Sequence, residues 1–308
     1  MKWLLALVCT LACVNAPLAQ PADSTRFDPT DHYEVYTGSG EPSDLNAIVS
    51  AMAGAHVVFL GEQHNDPTGH ALELMLLEAA HRQYGSSREV ILGMEMFERD
   101  VQPVLDEYLS GHIREQDFLK ASRPWSNYEA DYRPLIEYAK ENGLDVVATN
   151  APSRYASLAR RRGLVVLDSL ESSWNWLPHA MPMTGISDQV APPSPEYEAR
   201  FRAEMDEMGA HEPMPGMPSA DAMLVAQNLR DATMAFAIGF PFSEKLVLHI
   251  NGSFHSADGL GIPEHRARFS SVETMLIITM LPVDDIHTAP EPSNDDFIIM
   301  TDKGLISE

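Results

Sequence analysis

The stretch HVVFLGEQH at residues 56–64 decides the fold, because an apolar run changes abruptly into polar residues there. Residues 56–60 predict a short buried strand that ends at Gly61. Asp66 and Pro67 follow directly, and a capping aspartate before a proline predicts the first turn of a helix. A strand, a polar turn and a helix in this order are typical of an α/β protein with a parallel sheet.

The same alternation of strand and helix continues along the chain. Because strands separated by helices pair in parallel, the sequence predicts a three-layer α/β/α domain with a mostly parallel sheet covered on both faces. We expect the last strand to lie at the edge of the sheet. The later strands are predicted at residues 89–96, 144–149, 245–250, 272–281 and 297–301. The helices are predicted at residues 43–53, 66–84, 100–109, 115–121 and 132–142, and another begins at Pro152.

One segment, residues 169–222, departs from this alternation and is dense in proline and methionine. It shows a helical pattern over about 196–208 and no strand pattern, so we expect a helical insertion that packs as a lid. Thioether sulfur binds Cu(I), and a copper carrier is one interpretation. The favoured interpretation is an adaptable apolar lining of the lid. The copper interpretation concerns two Met-x-x-Met pairs and the histidine between them, which are Met205, Met208, His211, Met214 and Met217.

The N-terminal residues have the composition of a secretion signal. Lys2 precedes an apolar run over residues 3–12 that is too short to cross a bilayer, and small residues follow it. We expect residues 1–19 to be a signal peptide. Acylation at Cys13 is the alternative, and it would anchor the protein to the outer membrane. Both routes predict an exported protein that is periplasmic or associated with the outer membrane.

The mature chain divides into two parts. Residues 20–42 are rich in proline, aspartate, serine, threonine and glycine and predict a linker, and residues 43–308 predict the folded domain. Cys9 and Cys13 are the cysteines of the sequence, and both lie in the predicted signal peptide. Cleavage after residue 19 would therefore leave no thiol, no disulfide and no cysteine-ligated metal.

The charge balance limits the partners. There are 45 acidic and 21 basic residues, which give a formal net charge of −24, and the acidic residues are spread along the chain. A surface of this sign repels nucleic acid and anionic membranes, so neither is expected as a partner. The partner that we expect is a small-molecule ligand.

Polar residues follow the predicted strands at their carboxyl ends, where ligands bind in open parallel sheets. Glu95 is the most informative of them, because it interrupts an apolar strand and a buried carboxylate needs a cation, an arginine such as Arg99, or a histidine. The candidate residues at these ends are Glu62, His64, His70, Glu95, Asn150, Asn251 and His255.

Two histidines and a carboxylate at separate strand ends have the composition of an open metal site. His64, Glu95 and His255 would hold zinc, manganese or cobalt, and such an ion activates water for hydrolysis. Glu62 would then act on the water. Acid/base work by the same four residues without a metal is the alternative.

A longer series of motifs runs through the chain in a characteristic order. Its segments are residues 61–67, 69–70, 94–99, 105–111, 132–134, 150–152 and 226–235, together with Gln102, Trp125, Tyr138, Ala139, Asp296 and Phe297. This series resembles the ChaN-like haem-binding family of the Tiki, TraB and erythromycin-esterase superfamily. The superfamily hallmark is a pair of Gly-x-x-His motifs and a glutamate, which here are residues 61–64, residues 252–255 and Glu95. Ser253 and Phe254 are bulkier than the residues usual in the second motif.

The resemblance implies a haem-binding protein of iron uptake, with haem held by a tyrosine that has no matched position in this sequence. Metal-dependent hydrolysis, as in the Tiki-like and esterase members, is the alternative function. A homodimer is also left open. The residues that we predict to bind the cofactor are His64, His70, Arg99, Asn150 and Asn251.

Overall fold

The protein is built on one eight-stranded sheet, and the predicted mixed α/β fold with a mostly parallel sheet is confirmed. The computed structural model describes residues 27–170, 176–177, 185–207, 218–239, 242, 244–270 and 274–306. The strands are β1 (Tyr33–Thr37), β2 (Pro42–Ser43), β3 (Val57–Glu62), β4 (Val90–Glu98), β5 (Asp145–Asn150), β6 (Leu246–Gly252), β7 (Met275–Val283) and β8 (Phe297–Asp302). Their spatial order is β2-β1-β8-β7-β3-β6-β4-β5, and the strands from β8 to β5 are parallel.

Helices cover both faces of this sheet. Those from α1 to α5 share a core cluster with one face, while α9 and α10 pack on the other. The helices are α1 (Leu45–Ala51), α2 (Pro67–Tyr84), α3 (Gln102–Leu109), α4 (Glu115–Ser122), α5 (Arg133–Asn142), α6 (Ser153–Arg162), α7 (Ile186–Gln189), α8 (Pro195–Glu207), α9 (Ala220–Ala237) and α10 (Ile262–Phe269).

The central strand β3 shows how the sequence covers two faces. Val58 and Leu60 point into the cluster under α2, whereas Val57 and Phe59 point into the cluster under α9. Successive side chains of a strand alternate between faces, so a continuous apolar run is what a strand buried on both sides requires. This burial fixes the register of β3, and therefore the positions at which its polar end emerges.

The N-terminal strands correct two predictions. The segment predicted as a linker, residues 20–42, contains β1, which pairs antiparallel with β8 along its whole length. As a result β8 lies inside the sheet and not at its edge. The alternation in Tyr33–Thr37 is only five residues long and is flanked by turn-forming residues, so its composition resembles a linker.

Helix starts follow ordinary capping chemistry. Asp66 caps α2 by accepting a hydrogen bond from the Thr68 backbone N–H at 2.9 Å, with Pro67 at the first helical position as predicted. The first helix is capped by Asp44 and not by Ser43, because the Asp44 carboxylate accepts from the Ala47 N–H at 2.8 Å.

The predicted lid is described in part. Helix α8 matches the helix predicted over 196–208, and it packs on the turn after β6 because the Arg200 guanidinium donates to the Ala257 carbonyl at 2.6 Å and to the Phe254 carbonyl. The Phe254 ring lies 5.2 Å from that of Tyr197. Residues 208–217, which hold most of the predicted copper ligands, lie outside the described residues.

No helix in the described parts of the chain combines the length and the apolar character that a membrane crossing needs. The predicted signal peptide, residues 1–19, lies outside the described residues.

Gly93→Ala tests how tightly β4 and β6 pack. A Cβ at Gly93 would lie 2.7 Å from Cδ2 of the buried His249 ring, which is its register partner. Because this ring is enclosed, we expect the free energy of unfolding in urea to fall by roughly 1–3 kcal/mol.

Gly54→Ala is the matched control for that variant. A Cβ at Gly54 meets no atom within 4 Å, so its effect should stay within about 0.5 kcal/mol. Equal stability of the two variants would show that His249 does not pack on Gly93.

Candidate functional site

The two Gly-x-x-His turns lie side by side at the carboxyl end of the sheet. Strands β3 and β6 are parallel neighbours, with Gly61 opposite Asn251 and Glu62 opposite Gly252. The first turn is tied to the second by the Gln63 amide, which donates to the Ser253 hydroxyl at 3.0 Å. The sheet therefore brings together two motifs that are 190 residues apart in the chain.

Both glycines are needed because the turns approach each other closely. A Cβ at Gly61 would lie 3.1 Å from the Ser253 Cα and 3.0 Å from the Ser256 hydroxyl. A Cβ at Gly252 would lie 3.0 Å from the His64 imidazole. Real Cβ atoms rarely approach this closely, so each turn can lie in this position only because the other motif has a glycine there.

Glu62 is fully buried at the end of β3 and is surrounded by donors. Its Oε1 accepts hydrogen bonds from His64 Nδ1 at 2.7 Å and from the Tyr132 hydroxyl at 2.8 Å. Its Oε2 lies 3.0 Å from His70 Nδ1. Burial alone would raise the pKa of Glu62, but the contacts with His64 and His70 outweigh burial and lower it well below its usual value, so the side chain is a carboxylate.

Glu95, at the end of β4, is the second buried carboxylate. Its Oε2 accepts from the Gly252 N–H at 2.8 Å, and its Oε1 lies 3.3 Å from His255 Nε2. The opposite ring nitrogen of His255 is hydrogen bonded to Asp231 of α9. Burial would raise the pKa of Glu95, but the charge of His255 dominates and lowers it to about 2. The partner of Glu95 is therefore the histidine His255 and not Arg99.

Asp231 extends this chain of contacts to the lid. It accepts a second hydrogen bond from the hydroxyl of Tyr197 on α8. A histidine held between two carboxylates has a fixed ring orientation and donates from both ring nitrogens, which is how proteins position a histidine for acid/base chemistry. The lid helix therefore helps to orient the His255 ring.

His64 is the open member of the pair. Its side chain is 43% exposed, and its ring meets the Trp125 ring edge-on at 4.7 Å. Its backbone carbonyl accepts a hydrogen bond from the Asn127 amide at 2.8 Å. Burial would lower the pKa of His64, but the hydrogen bond with Glu62 outweighs burial and raises the pKa above its usual value.

The predicted metal triad of His64, Glu95 and His255 stays a prediction. His64 Nδ1 is hydrogen bonded to Glu62 and His255 Nδ1 to Asp231, while His255 Nε2 lies 3.3 Å from Glu95 Oε1. His64 and Glu95 approach each other at Gly252. Among the described residues, another group at this end of the sheet has its ligand atoms within 4.8 Å of one another and is described below.

Three predicted cofactor-binding residues lie away from a common ligand position. Arg99 donates to the Ala148 carbonyl at 3.2 Å and lines a separate cavity beside β5. Asn251 is fully buried. Its amide oxygen is hydrogen bonded to His249, and its amide nitrogen donates to the Ser256 hydroxyl and to the Gly252 carbonyl. These contacts occupy both polar ends of Asn251, so it holds the turn. The third, His70, lies on the far side of Glu62.

Asn150, at the end of β5, accepts a hydrogen bond from Arg230 at 2.8 Å, and Arg230 lines a cavity under the lid. We call this space the lid cavity. It measures about 480 Å³ and lies between α6, α8, α9 and Phe254, the residue before His255. Its size lies in the range of small-molecule and cofactor sites. The lining residues are Ser153, Ala156, Ser157, Arg160, Phe201, Glu204, Met205, Met223, Ala226, Gln227, Arg230 and Phe254.

Sequence reasoning missed four residues that shape this site, namely Glu73, Tyr132, Tyr197 and Asp231. A signal was present for the two acids, since Glu73 and Asp231 interrupt the apolar faces of their helices and are fully buried. A buried charge in a helix needs a partner just as a buried charge in a strand does. Tyr132 lies in a segment that matches the family, but nothing in the sequence marks it as a site residue, and a buried tyrosine such as Tyr197 is ordinary in a core.

Comparison with known proteins gives a family and a fold. The family model described as "Haem-binding uptake, Tiki superfamily, ChaN" matches residues 48–265. Among solved structures, "Cofacial heme binding to ChaN of Campylobacter jejuni" superimposes with a TM-score of 0.64, covering 88% of this chain and 97% of that chain at 15% identity. This likeness shows a shared fold.

More distant matches add no functional argument. The protein Reticulata-related 5 of Arabidopsis thaliana chloroplasts is 25% identical over 140 residues, or 43% of this chain, and this match spans only 19% of that relative's length. An erythromycin esterase in its open conformation covers 88% of this chain and 83% of its own at 16% identity, with a TM-score of 0.41.

The contacts of His255 with Glu95 and Asp231 predict how the stability of the protein depends on pH. Burial would lower the pKa of His255, but Glu95 and Asp231 raise it from 6.5 to about 10. Protonated His255 therefore contributes fully to the free energy of unfolding below about pH 6.5, and this contribution is lost as the pH rises towards 10. In ¹⁵N NMR of imidazole-labelled protein, we expect His255 to stay doubly protonated through neutral pH, and Asp231→Asn to lower its pKa.

His249 is the internal control in the same spectra. Burial lowers the pKa of His249 to about 4, so this ring should stay neutral where His255 is charged. Because protonation then favours the unfolded chain, His249 lowers the free energy of unfolding as the pH falls below 6.5. A neutral His255 at pH 7 would contradict the ion pair with Glu95.

Proposed function

This chain belongs to the haem-binding uptake family of the Tiki superfamily, and from this premise we propose that it is an exported haem-binding protein. The observation that carries the proposal is the lid cavity. It lies at the carboxyl ends of the strands, where an open parallel sheet binds ligands, and the lid helix covers it.

The cavity walls match the chemistry of haem. Phe201 and Phe254 provide aromatic surface for a flat macrocycle, as is usual for cofactor pockets. Arg160 and Arg230 supply guanidinium groups, which pair with carboxylates such as the haem propionates. A ligand that is apolar in its centre and anionic at one edge therefore suits this lining.

Met205 on α8 and Met223 on α9 also line the cavity. Their thioether sulfur atoms would be available to hold haem iron. Haem, when bound, would supply the iron that an uptake system carries. Met205 belongs to the predicted insertion, and its place in the cavity wall supports the apolar-lining interpretation.

Binding of haemin by the purified protein is the central test. We expect a Soret shift on titration, and we expect Arg160→Glu combined with Arg230→Glu to weaken binding about tenfold or more, because two attractive charges become repulsive. Arg202→Glu is the matched control. It reverses one guanidinium charge, as Arg160→Glu and Arg230→Glu each do. Arg202 pairs with Glu198 and Asp221 and does not line the cavity, so the haemin affinity of this variant should stay within about twofold of wild type.

Absence of a Soret shift in the wild-type protein would overturn the proposal of haem binding. Equal losses in the double variant and in Arg202→Glu would place haem elsewhere, since the loss would then not depend on the lining of the lid cavity.

Export rests on the N-terminal sequence. Cleavage after residue 19 should give a mature chain that begins at Gln20, which intact-mass analysis of protein from the periplasm would detect. A chain that begins with a lipid-modified Cys13 would support the lipoprotein route and a role at the outer membrane. Recovery of only the full-length chain from the cytoplasm would contradict export.

A hydrolase is the second candidate, and one observation favours it. His255 is held between Glu95 and Asp231 next to the lid cavity, an arrangement suited to proton transfer. If this function operates, hydrolysis of an activated aryl ester should be lost in His255→Asn while haemin binding is retained. Equal ester hydrolysis by the variant would rule out this residue as the acid/base group.

A further inference from the structure

A second group of ligand-type side chains lies on the far side of Glu62 from the lid cavity. Glu62, His70 and Glu73 each offer one ligand atom, and these atoms all lie within 4.8 Å of one another. All three side chains are buried, and Glu62 and Glu73 have no exposed surface. They come from the end of β3 and from two positions one turn apart on α2, so rigid elements hold them.

The contacts of His70 require a cation at its Nδ1. The Nε2 atom lies 3.2 Å from the His64 carbonyl oxygen and 3.6 Å from an Asp131 carboxylate oxygen, which are both acceptors, so Nε2 carries a hydrogen. The Nδ1 atom faces Glu62 Oε2 at 3.0 Å and Glu73 Oε2 at 3.4 Å. A bare nitrogen lone pair facing two carboxylates is repulsive, and a proton or a metal ion must lie there.

Hydrogen bonds leave part of this group unsatisfied. Among the described residues, Glu62 Oε2 and Glu73 Oε1 are buried and make no hydrogen bond of full geometry, although His70 Nδ1 lies 3.0 Å from Glu62 Oε2. Burying an unpaired carboxylate oxygen is costly. His70 Nδ1 faces Oε2 of each glutamate and not Oε1 of Glu73, whereas a metal ion offers several coordination positions.

The surrounding contacts orient the group as they do in metal sites. Glu62 Oε1 is fixed by His64 and by the Tyr132 hydroxyl, so Oε2 is the free oxygen. The Nε2 hydrogen of His70 points to a backbone carbonyl, which fixes the tautomer with its lone pair on Nδ1. Such outer contacts accompany nearly every metal-binding histidine.

A route for cations leads to this group. His70 lines a cavity of about 720 Å³ between α2, α5 and the π-helical turn at Tyr128–Tyr132, which we call the acidic cavity. Its charged lining consists of Arg133 and five carboxylates, which are Glu78, Glu129, Asp131, Glu137 and Glu141. A cleft lined mainly by one sign of charge concentrates counter-ions of the opposite sign.

We propose that Glu62, His70 and Glu73 form a buried site for a divalent transition-metal ion that enters through the acidic cavity. One imidazole and two carboxylates are a nitrogen and oxygen ligand set suited to Zn²⁺ or Mn²⁺. Glu62 then joins the ion to the exposed His64 through its second oxygen. This site is separate from the lid cavity and does not depend on haem binding.

Metal titration of haem-free, chelator-treated protein tests the proposal, with ZnCl₂ and MnCl₂ as probes in calorimetry and elemental analysis of the dialysed complex. We expect about one ion per chain and a rise in Tm on loading. Glu73→Gln, which keeps the side-chain shape, should weaken binding about tenfold or more, and so should His70→Asn. Circular dichroism establishes that both variants are folded.

Two controls locate the ion. Glu78→Gln removes a charge from the same helix at the wall of the acidic cavity and should change affinity less than threefold. Glu95→Gln removes a carboxylate of the predicted triad and should leave binding intact. In crystals soaked in MnCl₂, the anomalous peak should lie beside His70 Nδ1.

Failure to bind either ion, or binding lost in Glu95→Gln and kept in Glu73→Gln, would overturn the proposal. Because Glu73→Gln should leave the haemin titration unchanged, failure of this site is distinguishable from failure of haem binding.

Discussion

The site depends on the burial of two carboxylates at the ends of neighbouring strands. Glu62 and Glu95 flank the end of β6, and both are removed from water. Each needs positive charge and directed donors, since an unpaired buried charge is prohibitively costly. Histidines meet this need on both sides, with His64 and His70 at one carboxylate and His255 at the other. The Gly-x-x-His motifs are therefore structural requirements of this sheet edge before any chemistry is considered.

Much of this arrangement was predictable from sequence, because the physical signal was local. A continuous apolar run that ends in Gly61 specifies a strand buried on both faces, and the polar residues after it must then emerge at the ligand-binding edge. The charge of Glu95 inside an apolar strand likewise indicated that this side chain has a partner. The identity of that partner was not predictable, since Arg99 is four residues away and His255 is 160. Only the order of the strands, which brings β6 between β3 and β4, decides between them.

The strand β1 and the positions of Asn251 and Arg99 show the limits of such reasoning. A five-residue edge-proximal strand has little burial pattern to distinguish it from a linker, and only pairing with β8 defines it. Asn251 has the right residue type at the right strand end, but its hydrogen bonds are used within its own turn. Residue type and position in the sequence predict at which strand end a side chain lies. They do not predict which of several nearby groups will be its hydrogen-bond or ion-pair partner.

The distance in sequence between the two turns has a consequence for folding. Gln63 and Ser253 are 190 positions apart in the chain and meet through the pairing of β3 with β6. Closing so long a connection is slow compared with forming local helices. The paired edge is therefore among the later parts of the fold to form, and damage to either turn disturbs a partner that is far away in the sequence.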